Sequence, residues 1–242
     1  MRSHNRDDGH HPLIGRTPYP DPYSPELGSL PDTDLDRSDP ETVSKTGTTT
    51  IGLTTDEGVV IATDMRASLG GRFVSNKNVQ KVDQIHPTGA LTMVGSVGGA
   101  QSFISSLRAE VNLYESRRGE DMSIDALATL AGNFARGGPF FAIHPILGGV
   151  DDDGSHVYSI DPAGGVMGDE YTVTGSGMQL AYGHLEQSYE EDLSNDEAMT
   201  IAAQGIKSAV ERDTGSGNGV FLAEITTDGV DIHGHENFDD VI

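Results

Sequence analysis

The stretch Lys45-Thr46-Gly47-Thr48-Thr49-Thr50-Ile51-Gly52 divides the chain into two unlike parts. Upstream, residues 1–47 hold seven of the eleven prolines and almost no periodic apolar pattern. His10-His11, Tyr19-Pro20-Asp21-Pro22-Tyr23 and Asp32-Thr33-Asp34-Leu35-Asp36 read as polar, extended chain without metal-ligand spacing. Such a composition cannot offset the entropy of ordering, so disorder is expected there. Downstream, a β-rich pattern begins at once. A Gly47-Thr48 bond on that boundary suggests a chain cut to expose a threonine. An N-terminal threonine carries its own base: the hydroxyl is the nucleophile, and the freed α-amine, with an ordinary pKa of roughly 7.7–8.0, can take its proton near neutral pH. Glycine before the cut gives the backbone the freedom to bring Thr48 Oγ1 onto the Gly47 carbonyl. The branched Cβ of threonine holds the hydroxyl better than serine would. Taken alone, Gly-Thr is a weak motif, and Gly-Thr-Thr-Thr reads first as the plain start of an edge strand.

Composition narrows the field. The chain has 242 residues, and removal of 1–47 leaves 195, one domain large enough to bury a core without staples. It has no cysteine, which excludes disulfides, thiolate metal sites and thiol catalysis. No apolar run is long enough to span a bilayer and the N-terminus carries no secretory h-region, so a cytoplasmic, membrane-free protein is expected. A net charge of −23 argues against nucleic-acid binding. The charge is dispersed, and four lysines stand against eleven arginines. That balance suits a halophile, whose salt screens self-repulsion, although an ordinary acidic protein would share it.

Along the second part, Thr48–Thr54 and Val59–Asp64 read as strands around the turn Thr55-Asp56-Glu57-Gly58. Phe73-Val74, Val82–Ile85 and the apolar run Ala90–Val97 follow, the last closed by Gly98-Gly99. The period then turns helical: Phe103, Ile104, Leu107, Val111 and Tyr114 share one face, and Ile124, Leu127, Ala128, Ala131 and Phe134 another. Ser123 is placed to cap the second helix and Gly137-Gly138-Pro139 to end it. Strands are predicted again over Phe140–Val150, His156–Asp161 and Glu170–Thr174. Between them, Asp151-Asp152-Asp153-Gly154 and Pro162-Ala163-Gly164-Gly165 are turns, the first lacking the spacing and terminal glutamate of a calcium loop. Helices over Gln179–Tyr189 and from the capping-box run Ser194-Asn195-Asp196-Glu197 to Val210 precede a closing hairpin of Val220–Ile225 and Val230–Ile232. His233 and His235 read as an exposed end rather than a metal pair. Strands, two helices, strands, two helices and strands imply an α+β fold, a four-layer α-β-β-α sandwich of two antiparallel sheets covered by helix pairs.

Six stretches in this order carry a resemblance: Gly47-Thr48-Thr49-Thr50, Ala62-Thr63-Asp64-Met65-Arg66, Asn76-Lys77-Asn78-Val79-Gln80-Lys81, Gly95-Ser96-Val97-Gly98-Gly99-Ala100, Thr174-Gly175-Ser176-Gly177 and Arg212-Asp213-Thr214-Gly215-Ser216-Gly217. Together they resemble the β subunits of archaeal 20S proteasomes, members of the N-terminal-nucleophile hydrolases, over residues 48–235. The resemblance implies that 1–47 is a propeptide removed by self-cleavage between Gly47 and Thr48, leaving 48–242 as the catalytic domain. It makes Thr48 the nucleophile, Asp64 and Lys81 its charged partners, and Gly95 an oxyanion donor through its backbone N–H. It makes Ser176, Asp213 and Ser216 the residues that hold the amine and move protons around it. Without it, Asp64 and Lys81 would read as a surface ion pair, and Gly175-Ser176-Gly177 and Gly215-Ser216-Gly217 as turns. Neither of the latter has nucleophile-elbow or phosphate-loop spacing. The distance from Asp64 to Lys81 implies an insertion near Gly70-Gly71, which bears on Ser68, an expected substrate-backbone contact.

The resemblance further implies a primary specificity pocket lined by Ala67, Val79, Met93 and Val97, apolar and adaptable, hence cleavage after large hydrophobic residues. On residue type alone Met93 and Val97 could be plain core. No metal or organic cofactor is expected. Implied partners are homologous β subunits in seven-membered rings, α-subunit rings, a regulatory ATPase and unfolded polypeptide substrates. Two other readings stay open: an amidohydrolase of the same nucleophile class acting on small amides, and a non-catalytic ring subunit.

Overall fold

The computed structural model describes residues 47–137 and 143–242. The segment expected to be disordered, Gly47 apart, lies outside the described residues, as do Gly138-Pro139 and the first residues of the strand predicted from Phe140. In chain order the described elements are β1 (Thr49–Thr54), β2 (Val59–Asp64), β3 (Ala67–Leu69), β4 (Phe73–Asn76), β5 (Val82–His86), β6 (Gly89–Thr92), α1 (Val97–Arg118) and α2 (Ile124–Gly137), followed by β7 (Ile146–Asp151), β8 (Gly154–Ile160), β9 (Val166–Gly168), β10 (Tyr171–Gly175), α3 (Met178–Ser188), α4 (Asn195–Val210), β11 (Val220–Thr226) and β12 (Gly229–His235).

Two five-stranded antiparallel sheets result, ordered β10-β1-β2-β11-β12 and β5-β6-β7-β8-β9, with β3 and β4 as a separate ribbon. The fold is the α+β sandwich of the N-terminal-nucleophile type, and strand alternation builds it. In β2, Val60 and Ala62 join Ala181, Leu185, Ala202 and Ile206 of α3 and α4, whereas Val59 and Ile61 turn to Val82, Ile146 and Val157 of the second sheet. Both faces of β2 are therefore buried. On the far side of the second sheet, Ile85 and Leu91 meet Phe103, Leu107 and Val111 of α1 and Leu127 and Ala131 of α2. Each such large side chain contributes roughly 1.5–3 kcal/mol by leaving water. Glycine sets the close approach of the sheets: a Cβ on Gly148 would lie 2.8 Å from Val59 Cγ1, and one on Gly52 2.8 Å from Ile146 Cγ2.

Caps fix the helix ends. Ser96 Oγ accepts from Gly99 N at 3.4 Å at the start of α1, and Gly119, at φ 72°, ends it in the left-handed region. Asp151 Oδ2 accepts from Ile124 N at 2.7 Å at the start of α2, beside the expected cap Ser123, whose Oγ accepts from Ala126 N. α4 opens on the capping box of Ser194 and Glu197. One expectation is corrected. The run Ala90–Val97 is not a single strand: β6 stops at Thr92, Gly95 adopts φ 96°, and Val97 begins α1, with Gly98-Gly99 inside its first turn. No paired strand continues past Thr92, Gly95 makes only an isolated bridge to Ile143, and an apolar run this short does not reveal the switch by periodicity. β3 and β9, of three residues each, were too short to be expected. His233 and His235 lie in β12, and His233 Nε2 faces Asp231 Oδ2 at 3.0 Å on the exposed edge.

Candidate active site

Antiparallel pairing gathers one end of the first sheet at a single point. Thr49 pairs with Gly175 at the end of β10, Thr50 with Thr63 near the end of β2, and Val220 with Asp64. The first residues of β1, the last of β2 and the loops entering α3 and β11 therefore meet, and Lys81 arrives from just before β5.

Thr48, Asp64 and Lys81 are all buried, and Asp64 completely so. Lys81 Nζ donates to Thr48 Oγ1 at 2.7 Å and to Asp64 Oδ1 at 2.7 Å, and Thr48 Oγ1 donates to Asp64 Oδ1 at 2.8 Å. Asp64 accepts further bonds from Thr49 N at 3.1 Å, Arg66 N at 3.0 Å and Gly217 N at 2.8 Å. This is no surface ion pair; five donors fix the carboxylate in one orientation. Burial pushes the Lys81 ammonium below the ordinary lysine range; Asp64 and the more distant Asp213 oppose that push, and Arg66 adds to it. A hydroxyl in contact with such a lysine can pass its proton to it and attack a carbonyl.

A second network meets the nitrogen side of Thr48. With the Gly47–Thr48 peptide intact, Thr48 N–H donates to Ser176 Oγ at 3.1 Å, and Ser176 O–H donates to Asp213 Oδ2 at 2.6 Å. Ser216 O–H donates to the same oxygen at 2.6 Å, and Gly215 N–H to Asp213 Oδ1 at 3.2 Å. Gly47 packs against this loop: a Cβ on Gly47 would collide with Gly215 Cα and sit 3.1 Å from Ser176 Oγ. Close packing is thus a second reason, beside backbone freedom, for glycine at 47. Ser68 is buried on β3, and its Oγ accepts from Gly47 N at 3.2 Å. The turn after it carries Gly70 and Gly71 at φ 58° and 66°, where the extra residue was expected.

Ala67, Val79, Met93 and Val97 line one concavity with Thr48, Lys81 and Gly95. Val97 reaches it from the first position of α1 and not from a strand. A second cleft meets Gly47 and Gly95 from the other side and is bordered by His144, Pro162, Asp213 and Gly215. Among the described residues no three His, Asp or Glu side chains converge as a metal site, and no helix is long and apolar enough to cross a membrane. Sequence reading left two residues without a role. Arg66 Nε donates to Asn218 Oδ1 at 3.0 Å and its Nη1 to Thr214 O at 3.1 Å, latching the loop of Asp213 and Ser216 onto the end of β2. Thr49 bonds both networks. Only the nearness of Thr49 to Thr48 could have hinted at it; the acceptors of Arg66 lie about 150 residues along the chain.

A family model described as "Proteasome subunit" matches residues 44–225. The chain is 83% identical to "Proteasome subunit beta 1" of Haloterrigena turkmenica over 92% of each chain. It is 81% identical to "Proteasome subunit beta" of Natrialba magadii, again over 92% of each. With "Proteasome subunit beta" of Natronomonas pharaonis it shares 73% identity over 96% of this chain and 97% of the relative. From the matched family and the identity of these relatives, the chain belongs to the proteasome subunit family.

Proposed function

We propose that this chain is the proteolytic β subunit of a self-compartmentalised 20S proteasome and acts as a threonine endopeptidase. The observation that carries the reading is the buried contact of Thr48 Oγ1 with Lys81 Nζ at 2.7 Å and Asp64 Oδ1 at 2.8 Å, one bond after glycine. While the Gly47–Thr48 peptide is intact, Thr48 has no free amine, and the base in contact with its hydroxyl is Lys81 in its neutral form, which burial favours. Thr48 Oγ1 attacks the Gly47 carbonyl carbon as its proton passes to the neutral Lys81 amine. The peptide C–N bond breaks, its nitrogen takes that proton back from Lys81, and Gly47 remains as an ester on Oγ1. Water hydrolyses the ester and releases residues 1–47. The freed α-amine, held by Ser176, then serves as general base for attack on substrate peptides through an acyl-enzyme. The Gly95 backbone amide supplies charge stabilisation at the developing oxyanion.

The concavity of Ala67, Val79, Met93 and Val97 is the primary specificity pocket in this reading, and its apolar lining favours large hydrophobic residues before the cut. A site so promiscuous needs a wall. Seven-membered β rings capped by α-subunit rings and fed by an ATPase supply it by closed heterologous contacts. The acidic surface, with net charge −23, suits the salt-rich cytosol of a halophile. The test is hydrolysis of an unfolded polypeptide and of fluorogenic peptides by the assembled particle. Thr48→Ala abolishes both if the reading holds. Cleavage of small amides alone would favour an amidohydrolase, and unchanged activity of Thr48→Ala a structural subunit.

A further inference from the structure

We infer that Thr49 is a positioning residue, whose side-chain hydroxyl fixes Ser216 and, through it, the carboxylate of Asp213. The inference rests on the assignment of Thr48 as nucleophile. Its basis is the direction of the hydrogen bonds. The Asp213 carboxylate has no hydrogen to give, so Ser216 O–H must donate to Asp213 Oδ2 at 2.6 Å. Ser216 has a single hydrogen, and that bond uses it. The 2.7 Å contact between Thr49 Oγ1 and Ser216 Oγ therefore has Thr49 as donor. The resulting chain runs in one sense from Thr49 through Ser216 to Asp213, and the same Asp213 oxygen accepts from Ser176, which in turn receives Thr48 N–H.

The backbone of the same residue serves the opposite side of the site. Thr49 N–H donates to Asp64 Oδ1 at 3.1 Å, the oxygen that also holds Lys81 Nζ and Thr48 Oγ1. Thr49 thus ties the carboxylate beside the nucleophilic oxygen to the carboxylate beside the nitrogen. The fold reserves space for its hydroxyl. Thr49 is fully buried, and a Cβ on Gly177, just before α3, would collide with Thr49 Oγ1. Removing the hydroxyl leaves Ser216 Oγ with an unused acceptor in a dry site, free to turn its hydrogen away from Asp213. Asp213 then loses one of the bonds that aim it at Ser176, and the amine that Ser176 holds is less well placed. The concavity of Ala67, Val79, Met93 and Val97 contains none of Thr49, Ser216 and Asp213, so binding of the substrate side chain there is left in place.

The test compares Thr49→Val, which has nearly the same shape and strong strand propensity, with Thr49→Ser and Thr48→Ala, each as full-length chain in the assembled particle. We measure kcat and KM on a fluorogenic peptide with tyrosine before the scissile bond, and the melting temperature. Thr49→Val is expected to lower kcat about tenfold with KM held within about twofold, the effect of one lost buried hydrogen bond on the catalytic step. Thr49→Ser, which keeps the hydroxyl, restores kcat. Should Thr49→Val fail to assemble, Thr49→Ala against Thr49→Ser reads the same contrast. Unchanged kcat in Thr49→Val overturns the inference, as does a Thr49→Ser that falls equally far, since packing of the methyl would then be the cause. If Thr48→Ala is inactive while Thr49→Val is normal, only the role of Thr49 falls; if Thr48→Ala keeps activity, the nucleophile assignment falls first.

Discussion

Replacing Asp64 by asparagine keeps shape and removes charge, and the surroundings of this residue set the size of the effect. Oδ1 accepts from Thr48 Oγ1, Thr49 N and Lys81 Nζ, and Oδ2 from Arg66 N and Gly217 N. Every neighbour is a donor. An asparagine has one acceptor oxygen, and whichever way it turns, its NH2 must face donors. The milder choice puts NH2 against Arg66 N and Gly217 N and forfeits two bonds to a charged acceptor, each worth about 1.5–3 kcal/mol. The loss of stability is therefore about 3–6 kcal/mol, before counting the Lys81 ammonium left without its counter-ion, against a typical total of about 5–15 kcal/mol. For a domain of this size that lowers the melting temperature on the order of 10–20 °C. Peptidase activity should fall at least ~100-fold, since Lys81 loses the carboxylate that holds it against Thr48 Oγ1. Thermal unfolding and fluorogenic hydrolysis, run on the same assembled preparation, check both. A melting temperature within about 2 °C of wild type, with activity within about twofold, would refute the reasoning, because no buried acceptor of five bonds can be lost so cheaply.

Lys81→Met removes the lysine that burial holds below its ordinary pKa. Between that lowered value and the unfolded value near 10.4, the unfolded chain binds more protons, so wild-type stability rises with pH through this window, and below it the penalty of burying the charge is fully present. Urea unfolding across alkaline pH should show that rise in the wild type and a flatter curve in Lys81→Met; parallel curves would contradict it. Gly47→Ala forces a Cβ into Gly215 Cα, and intact mass should show slower loss of residues 1–47. Met93→Glu places a carboxylate in the apolar concavity and should move preference from peptides with tyrosine or leucine before the cut to those with arginine. Faster wild-type turnover after arginine or glutamate than after tyrosine or leucine would show that the pocket has been misread.

The layered fold was legible because its signals are periodic. The β-rich run Val59–Asp64, the face of Phe103, Leu107 and Val111, and the Ser194–Glu197 box each describe local physics that the structure follows. Legibility ended inside the run Ala90–Val97, where β6 stops at Thr92, Gly95 takes φ 96° and α1 begins at Val97, and nothing in the apolar composition announces the change. The six motifs named the groups that the structure brings to one point, among them Thr48, Asp64, Lys81, Ser176, Asp213 and Ser216. They could not give the sense of each hydrogen bond. Thr49 and Arg66 illustrate the difference. Both are ordinary residue types at strand ends, and their partners Ser216, Thr214 and Asn218 come from a loop far along the chain. Only sheet pairing, which sets Val220 against Asp64, brings that loop within reach.

The most direct measurement is the intact mass of this subunit taken from an active particle, beside the same subunit carrying Thr48→Ala. The account predicts a wild-type chain beginning at Thr48, without residues 1–47, and a Thr48→Ala chain at full length. A full-length wild-type chain in a particle that hydrolyses peptides would contradict it, because the α-amine on which the mechanism depends would never have been freed.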